Sequence, residues 1–462
     1  MRTGSLAVGG LTAALCGLVL AASSGAAQDS HYWDREYGTT SELLGGTVVG
    51  SVRDLSATFY NPGALALAKD PRFILSLETL ELSSITLPRA AGDTLNLTQT
   101  SLASSPGIFA GSFGASEAKN RWAYSLITRQ NFDMSLRQRT SDPFDPAPTE
   151  PVTAQFIARG QKMTEFWVGV SWARRLGSTV GLGATGYLAT RGQSADALFT
   201  AESFGPAADQ ASAINLRNEY SYVHFRLVAK VGLAWEIGRW QLGASVETPS
   251  VGLLGWGELG GNASVINVDV DGDSIPDNRL VDNFQTPSAT YKSAPSMALG
   301  ASYVLGRTRI HGTVEWFGAI GAYDVMLGDP FQAQTSGEII VPAVREELRS
   351  VVNAGLGLEH RFSTTMAGYA SVTLDRAAKV RTTGRSNSFA TWDIVHLRGG
   401  TTFHALGANV ALGLGWSFGS NEVPSILDLG APQGAGAEPP EAINQTVKFW
   451  RLKLIFGFTT GS

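Results

Sequence analysis

Cysteine occurs once in the 462 residues, at Cys16, inside an apolar amino-terminal stretch. Without that stretch no thiol remains, which excludes disulfides, cysteine-ligated metals and thiol catalysis. Basic blocks are missing as well: 35 Lys and Arg against 40 Asp and Glu give a formal charge of −5, which speaks against a nucleic-acid partner. Beyond the amino terminus there is no apolar run of about 18 residues, so no membrane helix is expected. Catalytic signatures are also absent. The six histidines, His31, His224, His311, His360, His396 and His404, lack metal-ligand spacing, and neither a Gly-x-Ser-x-Gly elbow nor a phosphate loop is present. The chain is not expected to be an enzyme; only a Ser-His site assembled from separate strands would escape such a reading.

The amino terminus carries Arg2, a glycine-broken apolar stretch from Leu6 to Ala22, and then "ASSGAAQDS". Small residues there suit a signal-peptidase cut near Ala26 or Ala27, so residues 1–27 are expected to be a signal peptide. Leu15 precedes Cys16 where a lipoprotein would carry a small residue, which argues against lipidation.

After residue 70 the chain alternates with a period of two. In "KFWRLKLIFGF", Trp450, Leu452, Leu454, Phe456 and Phe458 share one face, while Arg451, Lys453 and Gly457 share the other. "NVALGLGWSF" divides Val410, Leu412, Leu414 and Trp416 from Ala411, Gly413 and Gly415 in the same way. A soluble sandwich alternates too, and the connections decide between them. "RRLGST", "EIGR", "VLGRT", "HRFST" and "TFHA" are tight, and the links between them are mostly long and polar. About fourteen such segments, short turns on one rim and long loops on the other predict an all-β transmembrane antiparallel barrel over residues 71–462. A closed barrel pairs every backbone group inside a bilayer without apolar helices.

Ahead of the first strand, "DLSATFYNPGALALAKDP" has no strand period. Residues 28–70 are the right size to fold inward as a hatch plugging the lumen. Gly45, Gly46 and Gly50 permit close packing there, and Asn61-Pro62-Gly63 reverses the chain. "GGTVVGSVRDLSATFYNPGALAL" resembles the hatch of the FadL-type transporters of long-chain fatty acids and hydrocarbons, which carries Asp and small residues before an Asn-Pro-Ala ending. "SAPSMALGASYVLGRTRIHGTVEWFGAI" is similar to a Pro-x-x-x-x-Leu-Gly-x-x-Tyr strand, turn and strand of the same family. Gly63 stands where the family usually has Ala.

The resemblance implies a monomeric fourteen-stranded barrel in the outer membrane of a Gram-negative-type bacterium, embedded in outer-membrane lipid. It also implies passive uptake of a hydrophobic small molecule through lumen binding, hatch movement and sideways release. Asp54, Asn61, Pro62 and Gly63 would form the hatch signature. The alternative is a general porin or structural barrel with no specific hydrophobic substrate.

Two constellations remain. His224, Arg226, Lys230, Arg451 and Lys453 fall on the inward face, where they could meet a fatty acid carboxylate or pair with inward carboxylates such as Glu236 and Glu359. In "NVDVDGDSIPDN", Asp269, Asp271, Asp273 and Asp277 occupy loop positions 1, 3, 5 and 9, with the Ile275 carbonyl at 7. This spacing suits Ca2+ in an extracellular loop, although Ser274 and Leu280 replace the glycine and the final carboxylate. No cofactor is otherwise required.

Overall fold

A computed structural model describes residues 31–69, 72–87, 97–113, 119–143, 151–205, 210–269, 275–379, 392–405, 407–424 and 444–460. The expected signal peptide, hatch residues 28–30 and 70, and Asp271 and Asp273 of the expected calcium loop lie outside the described residues.

The strands run in chain order as β1 (Phe73–Leu87), β2 (Leu97–Phe113), β3 (Asn120–Ser141), β4 (Val152–Leu176), β5 (Val180–Phe204), β6 (Ala211–Ile237) and β7 (Trp240–Glu247). Then come β8 (Val251–Val268), β9 (Asp277–Gln285), β10 (Ser296–Leu305), β11 (Thr308–Phe317), β12 (Ile320–Leu327), β13 (Phe331–Gln332), β14 (Ile339–Ile340) and β15 (Ala343–Leu348). The last five are β16 (Val351–Arg361), β17 (Met366–Asp375), β18 (Ile394–Ala405), β19 (Ala408–Pro424) and β20 (Asn444–Thr460). Fourteen of them form a closed antiparallel barrel, sealed where β1 pairs with both β2 and β20.

The alternation fixes the wall. Leu227, Val231, Leu233 and Trp235 of β6, and Trp450, Leu452 and Leu454 of β20, are exposed as a lipid face needs, while Arg226, Lys230, Arg451 and Lys453 are buried inward. Tight turns carry glycine where the backbone needs positive φ: Gly177, Gly238, Gly306 and Gly407 lie at 74°, 60°, 62° and 76°.

The wall is uneven in height. A tilted strand crosses a bilayer in about 9–11 residues. The 10 residues of β10 and 10 of β11 suffice for that, whereas β4 has 25 and β6 has 27. The extra length of β3–β6 therefore stands outside the lipid, and its outward residues turn polar at Asp133, Arg137, Arg139 and Lys162. The seventh wall strand breaks at Thr248-Pro249-Ser250: β7 pairs the lower part of β6, and β8 the upper part. A central-strand proline would leave a ladder bond unmade, so the break falls where the chain can bend. The long connection from β11 to β16 folds two hairpins, β12 with β15 and β13 with β14. Val325, Met326 and Val344 from it pack on Tyr220, Tyr222 and Leu259 of the wall.

Residues 31–69 fill the lower lumen. They comprise a short helix, Thr39–Leu43, a turn of helix, Ala57–Tyr60, and a 3-10 helix, Pro62–Leu67. These elements are too short to be stable alone and are held by the wall. The Thr58 carbonyl accepts from Thr185 Oγ1 at 2.9 Å and from Tyr187 Oη at 2.6 Å, and the Ala66 carbonyl accepts from Arg175 Nε at 3.1 Å. Helix-end carbonyls left open within the hatch are thus satisfied from outside it.

The hatch also lies directly against bare glycine backbone of the wall. A Cβ at wall Gly243 would lie 2.1 Å from the Val49 carbonyl oxygen, and one at Gly232 would lie 2.2 Å from Asn61 Oδ1. Gly63, the departure from the family pattern, has the same cause: a Cβ there would meet the Gly232 and Gly181 carbonyl oxygens at 2.4 and 2.6 Å.

Gly232→Val is therefore expected to cost about 1–3 kcal/mol through overpacking. Ala229→Val, on the exposed face of the same strand, is expected to cost nothing measurable. Denaturant unfolding in detergent compares the two, and equal midpoints would show that the hatch does not press on the wall at Gly232.

Candidate functional site

The inward cations are already engaged. Arg226 Nη2 lies 2.5 Å from Glu165 Oε1, and Arg191 Nη1 lies 2.9 Å from Glu165 Oε2. Both guanidinium groups sit over the Tyr291 ring, at 4.2 Å for Arg191 and 4.7 Å for Arg226. Trp167 Nε1 donates to Glu165 at 2.6 Å, completing a buried charged cluster on the inward faces of β4, β5 and β6. Lys230 Nζ lies 3.3 Å from Glu247 and 4.4 Å from the Phe59 ring centre. Arg451 bonds Asp34 of the hatch and, through Nε at 2.9 Å, Glu81. Lys453 donates to the Asp34 carbonyl at 3.1 Å. His224 is buried, and its Nδ1 has no hydrogen-bond partner among the described residues.

Glu236 and Glu359 do not serve these cations. Glu236 takes Arg53 at 2.9 Å, and Glu359 takes Arg361 at 2.9 Å. The partners actually used, Glu165, Glu247, Glu81 and Asp34, are ones the strand period could not select. It gives the face of a side chain and not its height around a closed ring. Tyr291 lies in a segment with no period at all.

Asn61 ties the hatch corner. Its Nδ2 donates to the Val49 and Leu233 carbonyls at 2.8 and 2.9 Å, and its Oδ1 accepts from the Gly63 N–H at 3.1 Å. Pro62 opens the 3-10 helix, where a missing N–H costs nothing. Asp54 accepts from the Ser56 N–H at 2.9 Å and from its hydroxyl at 2.5 Å, shaping the turn before Ala57–Tyr60.

Of the calcium-loop residues, Asp269, Ile275 and Asp277 are described, and Asp277 lies 3.3 Å from Arg279. Among the described residues no group of three His, Cys, Asp or Glu side chains could hold a metal ion.

Two cavities lie above the hatch. The outer one has a volume of about 90 Å³ and is walled by Met134, Leu259, Ala263 and Val281, with Phe331 and Ile340 of the β13–β14 hairpin over it. Arg159, Asn218 and Asn262 add a polar side. The second, about 250 Å³, lies between β2 and β3. These strands pair only from Ile108–Ile127 down to Phe113–Trp122, and β3 shifts register between Thr128 and Gln130. Higher up the facing edges part, leaving a cleft lined by Ser101, Ala103, Asn131 and Asp133, with Phe449 and Arg451 behind it. One apolar cluster joins the cavities: Met134 and Ala263 of the outer cavity pack in a set with Phe132, Ile85 and Phe449 of the cleft.

This geometry is that of a plugged fourteen-stranded transmembrane barrel with an apolar upper lumen and an opening in its side. No protein-family model and no curated protein sequence matches the chain. Solved structures do share its fold. The Pseudomonas putida toluene transporter TodX is 12% identical with a TM-score of 0.60, over 93% of this chain and 99% of that one. A Pseudomonas aeruginosa FadL homologue gives 12%, 0.60, 93% and 99%. A mutant of TodX described as a monoaromatic hydrocarbon channel gives 11%, 0.61, 93% and 100%.

Removing the Asn61 amide strands two buried carbonyls and one N–H. Asn61→Ala is expected to cost about 1–3 kcal/mol and to raise ion leakage through single barrels in planar bilayers, while heat-modifiable migration on gels persists. Leakage at the wild-type level would show that the corner serves folding alone.

Proposed function

We propose that the protein is a passive transporter that carries hydrophobic compounds through the outer membrane of a Gram-negative-type bacterium, acting as a monomer. One observation carries this reading: the apolar cluster that links the outer cavity to the cleft between β2 and β3. A greasy molecule entering from outside meets apolar side chains down to Met134 and Phe132, and then a gap in the wall. Below it lie the buried, charged Glu165 cluster and the hatch. Sideways release into the membrane therefore has a shorter path than descent to the far rim.

Hatch movement, on this reading, is confined to residues 31–36, because Asp34 reaches Arg451 at the inner end of the cleft. The rest of the hatch is backed by wall backbone. Neutral hydrocarbons fit this lumen better than long-chain fatty acids: Arg226, Lys230, Arg451 and Lys453 already bond internal groups, and a ligand carboxylate would have to displace one. The solved proteins of this fold include a toluene transporter and a mutant of it described as a monoaromatic hydrocarbon channel. A general porin would need a water-filled lumen, which the upper apolar cluster and the hatch oppose.

Cells producing the protein are expected to take up labelled toluene faster than cells lacking it, with a smaller gain for oleate. Ala103→Trp, which fills the cleft, is expected to remove most of the gain while leaving the barrel folded. Equal toluene uptake with and without the protein, or large ion conductance by the purified barrel, would overturn the transporter in favour of the porin.

A further inference from the structure

Near their outer ends the parted edges of β2 and β3 are bridged, among the described residues, by the Gln99 side chain. Gln99 Nε2 donates to the Asp133 carbonyl at 3.4 Å, and its Oε1 accepts from the Ser135 N–H. In an antiparallel pair, the carbonyl of one residue and the N–H two residues on point to the same edge, where a neighbouring strand would bond both. The glutamine amide offers one donor and one acceptor in the same sense, so it takes the place of the two β2 backbone groups that a ladder would supply there. Because it does so at the end of a side chain, the strands stay further apart than the 4.7–4.9 Å or so of a ladder.

The cleft thus has two limits. At the bottom is the Ile108–Ile127 rung of the ladder, with the β3 register shift just above it. At the top is Gln99. Ser101 and Ala103 on β2, and Asn131 on β3, lie between them. The bottom is held by a continuous ladder and the top by two bonds from one partly exposed side chain. The top is therefore the limit that yields at least cost.

We propose that Gln99 is the latch of the side opening, and that it sets the largest molecule that can leave through the cleft. This rests on the proposed transport of hydrophobic compounds and adds a size limit with a named residue. Elsewhere in the chain two glutamines make a related bidentate contact, each with the N–H and the carbonyl of a single residue. Gln285 bonds both the N–H and the carbonyl of Asp329, and Gln334 both those of Asp282. Both of those tie the outer edge of β9 to the β13–β14 segment, so the device is one this chain uses where strand edges meet without a ladder.

The test uses Gln99→Ala and Gln99→Glu in the full-length protein, with Thr100→Ala, on the exposed part of the same strand, as control. Heat-modifiable migration first confirms that each barrel is folded. Two quantities are then read: amide exchange at Ser135 in the purified protein, and the ratio of naphthalene to toluene uptake in cells. Loss of the latch is expected to speed Ser135 exchange about tenfold and to raise the uptake ratio severalfold. Gln99→Glu keeps the acceptor for Ser135 and is expected to fall between Ala and wild type in both. Unchanged exchange would show that no latch exists, and faster exchange with an unchanged ratio would show that it does not set the opening. Either result overturns the proposal while wild-type toluene uptake still supports transport; no wild-type uptake at all would instead remove the transport reading itself.

Discussion

The approach of the Val49 carbonyl to the bare backbone of Gly243, and of Asn61 to Gly232, is the constraint on which the lower half of the molecule depends. A hatch of short helices has little stability of its own, and it fills the lumen only if its polar backbone reaches polar wall groups without intervening side chains. Alternation supplies that opportunity. One face of each strand must be apolar for lipid, which leaves the other free to carry Gly, Ala and Ser. The high glycine content, 53 of 462 residues, is partly the imprint of this fit. Gly63 completes it from the hatch side, and for that reason cannot be the alanine that similar hatches carry there.

Charge divides the lumen in the same spirit. Arg191, Arg226 and Glu165 are buried together, and Asp34 of the hatch neutralises Arg451 of the last strand. Breaking such a buried pair leaves an uncompensated ion and costs about 3–5 kcal/mol, so these groups stay together. They make the lower lumen polar and charged, unlike the zone above. Above them the lumen is lined by Met134, Phe132, Ile85 and Phe449, and the break in the β2–β3 ladder opens from that zone. On the proposed transport reading, the ladder break is where a hydrophobic molecule leaves the barrel.

Much of the barrel was legible because a strand in a membrane has a rigid period: Leu227 to Trp235 and Trp450 to Leu454 could be assigned to lipid from sequence alone. The tight turns RRLGST, EIGR, VLGRT and HRFST were equally plain, whereas TFHA lies at the end of β18 and the turn there carries Gly407 instead. What lay beyond the period was not legible. The Thr248-Pro249-Ser250 break divides one wall strand into two. The β8–β9 hairpin and the β12–β15 pair occupy stretches that read as long polar loops. Asp34 and Arg451 are 417 residues apart, and the face of a residue does not reveal its height. Gln99 gave no signal, since a lone glutamine on a strand is unremarkable until its neighbour's ladder is found missing.

A covalent lock on the hatch tests the central claim most directly. The hydroxyls of Thr39 in the hatch and Thr459 in β20 lie 3.0 Å apart, and Cys16 is the sole native cysteine, so Thr39→Cys with Thr459→Cys can tie the hatch body to the wall. Toluene uptake is then compared between oxidised and reduced cells, with the cross-link confirmed by mobility. The account predicts the same uptake in both states, because the molecule leaves through the side above a seated hatch. Uptake lost on oxidation and recovered on reduction would contradict it, and would place the hatch body itself in the path.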